Sequence, residues 1–253
     1  MSLSIHQWHQ RFKQQAQWTS PLRNYLFNKI DLRHAKQILD VGCGTGILLN
    51  ELNQLSQCNP YGVDINYDSL KFIHEALPMS LLTQGNAICL PLCSNTFDVA
   101  LCHFLLLWVK EPLQVIKEMA RVVHPGGYIM ALAEPDYGGR IDFPVELTQL
   151  GIWQTEALRE QGANPLIGRE LQSIFSLAGL SEIECGILGG RWYATQLDDQ
   201  FELEWYVLQS DLDKKEEFIR SSAKYEAIER LSRINQQRIL YVPTFYTIGR
   251  VNS

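Results

Sequence analysis

The stretch Leu39-Asp40-Val41-Gly42-Cys43-Gly44-Thr45-Gly46 constrains this chain more than any other. An apolar run at 37–41 feeds directly into the three glycines, and a helix-like segment follows from residue 47 to about 55. A second apolar run, 61–65, carries Asp64, eighteen residues past Gly46. Glycine reaches positive φ at little cost, so the backbone can bend sharply and admit a ligand closely. A carboxylate at the end of the next strand can accept from two ribose hydroxyls. Strand, glycine bend, helix, strand and acid together are the layout of a site for a ribose-bearing cofactor. A dinucleotide loop reads G-x-G-x-x-G. Here the third glycine comes one residue early and Ile47 stands where that pattern has Gly, which weakens an NAD-dependent oxidoreductase reading.

The periodicity continues downstream. It predicts strands at 37–41, 60–64, 80–84, 97–102 and 127–133, and helices at 46–56, 67–76 and 111–122. Such alternation implies a parallel sheet covered on both faces, with right-handed crossovers and ligands beyond the carboxyl ends of the strands. Before it, residues 3–18 place Trp8, Phe12 and Trp18 only roughly on one helical face, and Thr19-Ser20-Pro21 reads as a fresh helix start. After it, 135–165 breaks the pattern and holds a helix at 145–161. A helix at 166–179, a sixth strand at 180–188, helices at 200–209 and 213–236 and a β-rich segment at 239–251 complete the chain.

Specific segments carry a resemblance. Gly85-Asn86-Ala87, Leu90-Pro91-Leu92, Thr96-Phe97-Asp98-Val99 and His124-Pro125-Gly126-Gly127-Tyr128 follow Asp40 and the glycines in order. Together they resemble the class I S-adenosylmethionine-dependent methyltransferases, densely over 35–134 and loosely elsewhere. The resemblance implies a Rossmann-like, doubly wound α/β sheet of seven strands, the last antiparallel. It also implies an N-terminal helical lid (1–34), a methyltransferase domain (35–253) and a substrate cap inserted after the fifth strand (135–165). S-adenosyl-L-methionine would be the methyl donor and S-adenosyl-L-homocysteine the product.

The same resemblance assigns residues. Asp40, Gly42, Cys43, Gly44 and Gly46 would surround the methionine part, with Arg23 of the lid reaching its carboxylate. Asp64 would take the ribose, Ile65 would pack on the adenine, and Asn86 and Ala87 would meet its edge. Many relatives carry Asp at position 86; Asn86 still accepts through its carbonyl oxygen but brings no charge. His103, at the end of the fourth strand, would lie beside the methyl group, with catalytic base and structural histidine as competing roles. Glu134 ends the fifth strand as a second catalytic candidate. Asp136, Tyr137 and Arg140 face the mouth as substrate contacts: acid and aromatic suit an amine, Arg140 a carboxylate or phosphate. Trp153, Trp192, Tyr193, Trp205, Tyr206, Phe245 and Tyr246 permit an apolar pocket.

Composition sets bounds. At 253 residues with net charge −6, the chain can build one large domain with a cap and lacks the basic balance of a nucleic-acid binder. The longest apolar run, 99–109, is too short to span a bilayer, and the first residues show no secretory pattern. The six cysteines are scattered without a zinc pattern, as in a reduced cytoplasmic protein, and no metal is expected. Cys102-His-Phe-Leu-Leu after the fourth strand replaces the Asn/Asp-Pro-Pro-aromatic of DNA amino-methyltransferases. The acceptor expected is a small molecule, in the manner of the quinone-biosynthesis branch. A tRNA or protein acceptor, and a silent cofactor binder, remain as alternatives.

Overall fold

The structure, a computed structural model, describes residues 4–55, 59–187, 189 and 199–252. Trp192 and Tyr193 of the expected aromatic pocket, Cys58, and the end of the expected sixth strand at Leu188 lie outside the described residues. The chain opens with helix α1 (Ile5–Lys29) and continues through β1 (Ile38–Val41), α2 (Ile47–Leu55), β2 (Tyr61–Asp64), α3 (Tyr67–Ala76) and β3 (Leu81–Gln84). Next come β4 (Phe97–Cys102), α4 (Pro112–Val122), β5 (Val123–Pro135), β6 (Ile141–Phe143) and α5 (Thr148–Glu160). The last elements are α6 (Leu171–Leu177), β7 (Ser181–Ile187), α7 (Asp199–Asp211), α8 (Glu216–Ile234), β8 (Ile239–Tyr241) and β9 (Thr244–Arg250).

Seven strands form one sheet in the order β3-β2-β1-β4-β5-β9-β7. Strands β1 to β5 run parallel, and β9 enters antiparallel between β5 and β7. The Rossmann-like sheet with its antiparallel last strand is therefore as expected. Both faces are covered. Val115, Ile116 and Met119 of α4 join Ile174 and Phe175 of α6 on one side. Leu22, Leu26 and Phe27 of α1 join Leu48 and Leu52 of α2 on the other. The cap has its own core, with Leu147 and Leu150 near α5 packed on Phe201 and Trp205 of α7 and Phe218 of α8. Among the described residues no helix is long and apolar enough to cross a membrane, and Cys43, Cys89, Cys93, Cys102 and Cys185 are unpaired.

Two expectations are corrected. Residues 5–29 form one helix rather than two pieces, and Pro21 sits inside it. The buried stripe Ala16, Thr19, Leu22, Arg23, Leu26 and Phe27 runs past the proline unbroken, so tertiary burial outweighs the lost backbone bond. The 239–251 segment is also split. Val242-Pro243 separates β8, which pairs with β6 in a two-stranded cap sheet, from β9 in the main sheet.

One buried charge secures α1. Arg23 is 2% exposed. Its Nε lies 3.1 Å from both Glu51 carboxylate oxygens of α2, and Nη2 donates to Oε2 at 2.7 Å. Its Nη1 donates to the Ala16 carbonyl at 2.7 Å and to Thr19 Oγ1 at 2.5 Å. Removing one member of a buried pair strands the other charge. Glu51→Ala should therefore lower unfolding free energy by about 2–4 kcal/mol, read by urea titration, and should expose α1 to proteolysis before the sheet.

Candidate active site

Between β1 and α2, Gly42, Gly44 and Gly46 take φ of 73°, 51° and 79°, a region side chains rarely adopt. A Cβ on Gly42 would lie 2.7 Å from Leu105 Cδ1, and one on Gly46 2.9 Å from Ile73 Cγ1. The Val63 carbonyl accepts from the Gly42 and Cys43 N–H groups at 2.7 and 3.1 Å, tying the bend to β2. Asp64 completes the tie. Its Oδ2 accepts from Gly44 N–H at 2.7 Å, and its Oδ1 from Asn66 N–H at the start of α3 at 2.8 Å. A carboxylate oxygen has more than one acceptor site, so Asp64 is fixed in orientation and can still receive ligand hydroxyls. Asp40 is buried beside it. Burial, then the Asp64 charge, raises the Asp40 pKa to about 8. Burial likewise pushes the Cys43 thiol up, which leaves it a poor nucleophile.

A cavity of about 980 Å³ runs from this bend into the cap, at the upper end of the range for small-molecule sites. Asp40, Gly42, Cys43, Gly44, Thr45 and Asp64 wall one end. Helix α1 forms a side wall with Trp8, Arg11, Phe12, Gln15 and Trp18, a spacing that puts them on one helical face. Phe12 covers the bend: its Cε2 stands 3.2 Å from where a Cβ on Gly44 would be. His9 Nδ1 lies 3.0 Å from Thr45 Oγ1, joining the helix to the same bend.

The cap end carries a chain of polar contacts. Arg11 Nη1 donates to Gln14 Oε1 at 3.1 Å, and Gln14 Nε2 donates to Glu204 Oε1 at 3.2 Å. Arg233 joins Glu204 (2.7 Å) to Glu229 (2.9 Å), and Arg238 joins Glu229 (2.8 Å) to Asp142 (2.8 Å). Arg140 joins Asp142 (2.6 Å) to Gln154 Oε1 (2.6 Å), and Gln154 Nε2 ends the chain on Asp211 Oδ2 at 3.0 Å. All these side chains except Gln14 and Asp142 line the cavity. Aromatic walls stand among them: Phe201 and Trp205 stack with ring centroids 6.4 Å apart.

Of the residues expected from sequence, Asp40, Gly42, Cys43, Gly44, Asp64, His103, Tyr137 and Arg140 line this cavity. Ile65, Asn86 and Ala87 are not among its walls. Ile65 is 67% exposed beside Asp64, and Asn86 Oδ1 accepts from Ile88 N–H at 3.1 Å in a local turn. Gly46 packs on Ile73 of α3. Several of the expected residues have internal partners. Arg23 donates to Glu51, Ala16 and Thr19. Glu134 is fully buried. Its oxygens accept from three successive N–H groups, Leu105 (3.0 Å), Leu106 (2.8 Å) and Leu107 (3.1 Å). Burial raises its pKa to about 8 while those donors pull the other way. These contacts shape the loop after β4. Asp136 is held by Arg169 at 2.5 and 2.7 Å and by Gly138 N–H at 2.9 Å. His103 places Nε2 2.8 Å from Thr19 Oγ1, and burial, then Arg23, lowers its pKa to about 3. It stands on the cavity wall, and its surroundings favour the neutral imidazole.

Sequence reasoning missed Arg11, Gln154, Asp211 and the α7–α8 side of the cap. The 8, 11, 12, 15, 18 spacing was the available signal for α1. Nothing local marks the others, because they meet only after the cap folds. Among the described residues no cluster of metal-binding side chains is present.

Comparison with known proteins adds to this geometry. Residues 39–131 match the family model described as "Methyltransferase domain". The chain is 29% identical over 193 residues to a demethylmenaquinone methyltransferase of Bacillus licheniformis, covering 68% of this chain and 81% of that protein. It is 27% identical over 168 residues to an uncharacterized methyltransferase of Schizosaccharomyces pombe, covering 61% of this chain and 60% of that relative's length. The crystal structure of a SAM-dependent methyltransferase from Archaeoglobus fulgidus shares the fold, with a TM-score of 0.58 at 18% identity over 93% of this chain and 94% of that one.

His103 makes the site acid-sensitive. Its folded pKa lies below the ordinary 6.5, so the unfolded chain binds the extra proton. The corresponding stability is complete above pH 6.5 and is lost as pH falls toward 3. Urea midpoints of the native protein should fall across that window more steeply than those of His103→Gln, and parallel curves would reject the assignment.

Proposed function

This chain belongs to the class I S-adenosylmethionine-dependent methyltransferases, and we propose that it transfers a methyl group to a small-molecule acceptor held in its cap. One observation carries the reading: a single cavity joins the Asp40–Asp64 bend to the aromatic and polar cap. The cradle fits the donor. Asp64 is oriented by two backbone N–H groups with acceptor sites to spare for ribose hydroxyls, and the buried Asp40 carboxyl suits a cationic group. Ile65, apolar and exposed next to Asp64, offers a surface for the adenine. The donor supplies a methyl group already activated on a sulfonium.

The protein's share is placement. Holding two reactants aligned can supply much of the acceleration of a displacement reaction. Helix α1 over the bend, the Leu105–Leu107 loop pinned by Glu134 and the cap helices keep that alignment and exclude water. The demethylmenaquinone methyltransferase relative supports an apolar small molecule as acceptor. A second reading, a cofactor binder without chemistry, draws on the commitment of both sequence-derived base candidates, His103 and Glu134, to internal contacts. Labelled S-adenosylmethionine incubated with metabolite extracts decides between them: labelled product supports transfer, and tight donor binding without product supports the binder.

Two measurements test the cofactor end. Asp64→Asn should weaken S-adenosylhomocysteine binding by about 1.5–3 kcal/mol, the worth of hydrogen bonds to a charged acceptor, by calorimetry. Asp40, with its pKa raised to about 8, is largely protonated in the free protein at pH 6.5. A cationic ligand binds its ionised form, so affinity should rise with pH from 6.5 to 8 and binding should release a proton. Asp40→Asn should abolish that slope and the proton release, measured in two buffers of different ionisation heat.

A further inference from the structure

The polar wall of the cap has one break. Within the chain of contacts described above, three guanidinium groups are matched by three carboxylates, and their hydrogen bonds are spent on one another. Its two ends differ. Arg11 makes no ion pair among the described residues; its guanidinium lies over the Trp18 ring at 5.1 Å and touches only Gln14. Asp211 accepts from Gln154 and also from Gln161. Gln154 ties Asp211 to Arg140, three residues from Tyr137, and Arg11, Arg140 and Asp211 all act on the Tyr137 phenol. The Tyr137 hydroxyl has no hydrogen-bond partner among the described residues, and all three side chains line the cavity.

We propose that Arg11, Tyr137 and Asp211 form a subsite for an uncharged hydroxyl group on a planar, apolar acceptor. The assignment rests on the methyltransferase reading and specifies its acceptor. A hydroxyl fits because it both accepts and donates: its oxygen receives from the guanidinium and the phenol, and its proton goes to the Asp211 carboxylate. A carboxylate placed there would face Asp211, and an ammonium would face Arg11. Because the rest of the wall is charge-balanced, neither ion finds compensation elsewhere, and a buried uncompensated charge is costly. The planar body follows from the stacked Phe201 and Trp205 rings and from Trp8 and Trp18 on the facing helix.

Three naphthalene probes that differ only in their polar group test this: 2-naphthol, 2-naphthoic acid and 2-naphthylmethylamine. Each is titrated into the full chain with and without S-adenosylhomocysteine. The subsite predicts that, with S-adenosylhomocysteine bound, the naphthol binds about ten-fold or more tightly than either ion, the scale of a hydrogen bond to a charged group. Asp211→Asn should narrow the gap to the acid, Arg11→Gln should narrow the gap to the amine, and Tyr137→Phe should weaken the naphthol alone. The proposal fails if either ion matches the naphthol, if the naphthol does not bind, or if folded variants keep the native order and affinities. Failure of S-adenosylhomocysteine itself to bind would instead overturn the methyltransferase reading beneath it.

Discussion

The carboxylate of Asp64 is the joint on which the site depends. Parallel pairing sets Leu39 beside Tyr61 and Val41 beside Val63, so β1 and β2 end together. The glycine bend leaving β1 then passes directly under the acid that ends β2. One oxygen takes Gly44 N–H and the other takes Asn66 N–H, so the bend and the start of α3 are fixed relative to each other before any ligand arrives. That arrangement also brings a second acid, Asp40, within electrostatic reach in a buried position, which raises its pKa. A pair of neighbouring acids is costly for the free protein and favourable for a cation. The same residues therefore define the bend and give the pocket its preference.

Helix α1 serves two surfaces at once. Its buried side, from Ala16 to Phe27, completes the apolar layer over the sheet. Its cavity side offers Trp8, Arg11, Phe12, Gln15 and Trp18 to the ligand space. The Arg23–Glu51 pair is what lets one helix do both, since it fastens the helix to α2 at the point where its role changes. His103 belongs to this fastening: its bond to Thr19 Oγ1 joins the end of β4 to the same turn of α1, and Arg23 donates to that hydroxyl as well. A histidine at a strand end beside a ligand pocket has the position of a catalytic base, and here burial, then the Arg23 guanidinium, lowers its pKa.

The core was legible because its signals are local. Glycines at fixed spacing, period-two runs and an acid at a strand end lie within a few dozen residues of one another, and β1 to β4, α2 and α3 fall within a residue or two of where the sequence puts them. Pro21 misled because proline costs a helix one bond locally while the buried stripe it interrupts is a tertiary fact. The internal partners of Arg23, Glu134 and Asp136 were hidden for a related reason. Sequence places a charged residue at a strand end or on a lid, but only the fold shows whether its hydrogen-bonding capacity is already spent. Three backbone N–H groups satisfy Glu134 and a guanidinium satisfies Asp136, and neither set of partners can be inferred from spacing. The cap ring was invisible for the strongest form of this reason, since Arg11, Asp142, Glu204, Arg233 and Arg238 are scattered over most of the chain.

The distribution of charge along the cavity then divides its labour. At the bend, Asp40 and Asp64 have no guanidinium against them in the described contacts, so that end is acidic and awaits a cation. In the cap, the inner carboxylates Glu204, Glu229 and Asp142 each meet an arginine, so that stretch of wall is polar but charge-balanced. A buried ion pair adds little stability over an apolar contact of the same size, which makes five of them among three arginines and three carboxylates an expensive way to hold helices together. They make sense as a wall that must contact a polar ligand without attracting the cationic donor away from the bend. An acidic end at Asp40 and Asp64 and a charge-balanced end in the cap thus lie in one continuous space, and on the proposed reading that contrast sorts a cationic donor from an uncharged acceptor.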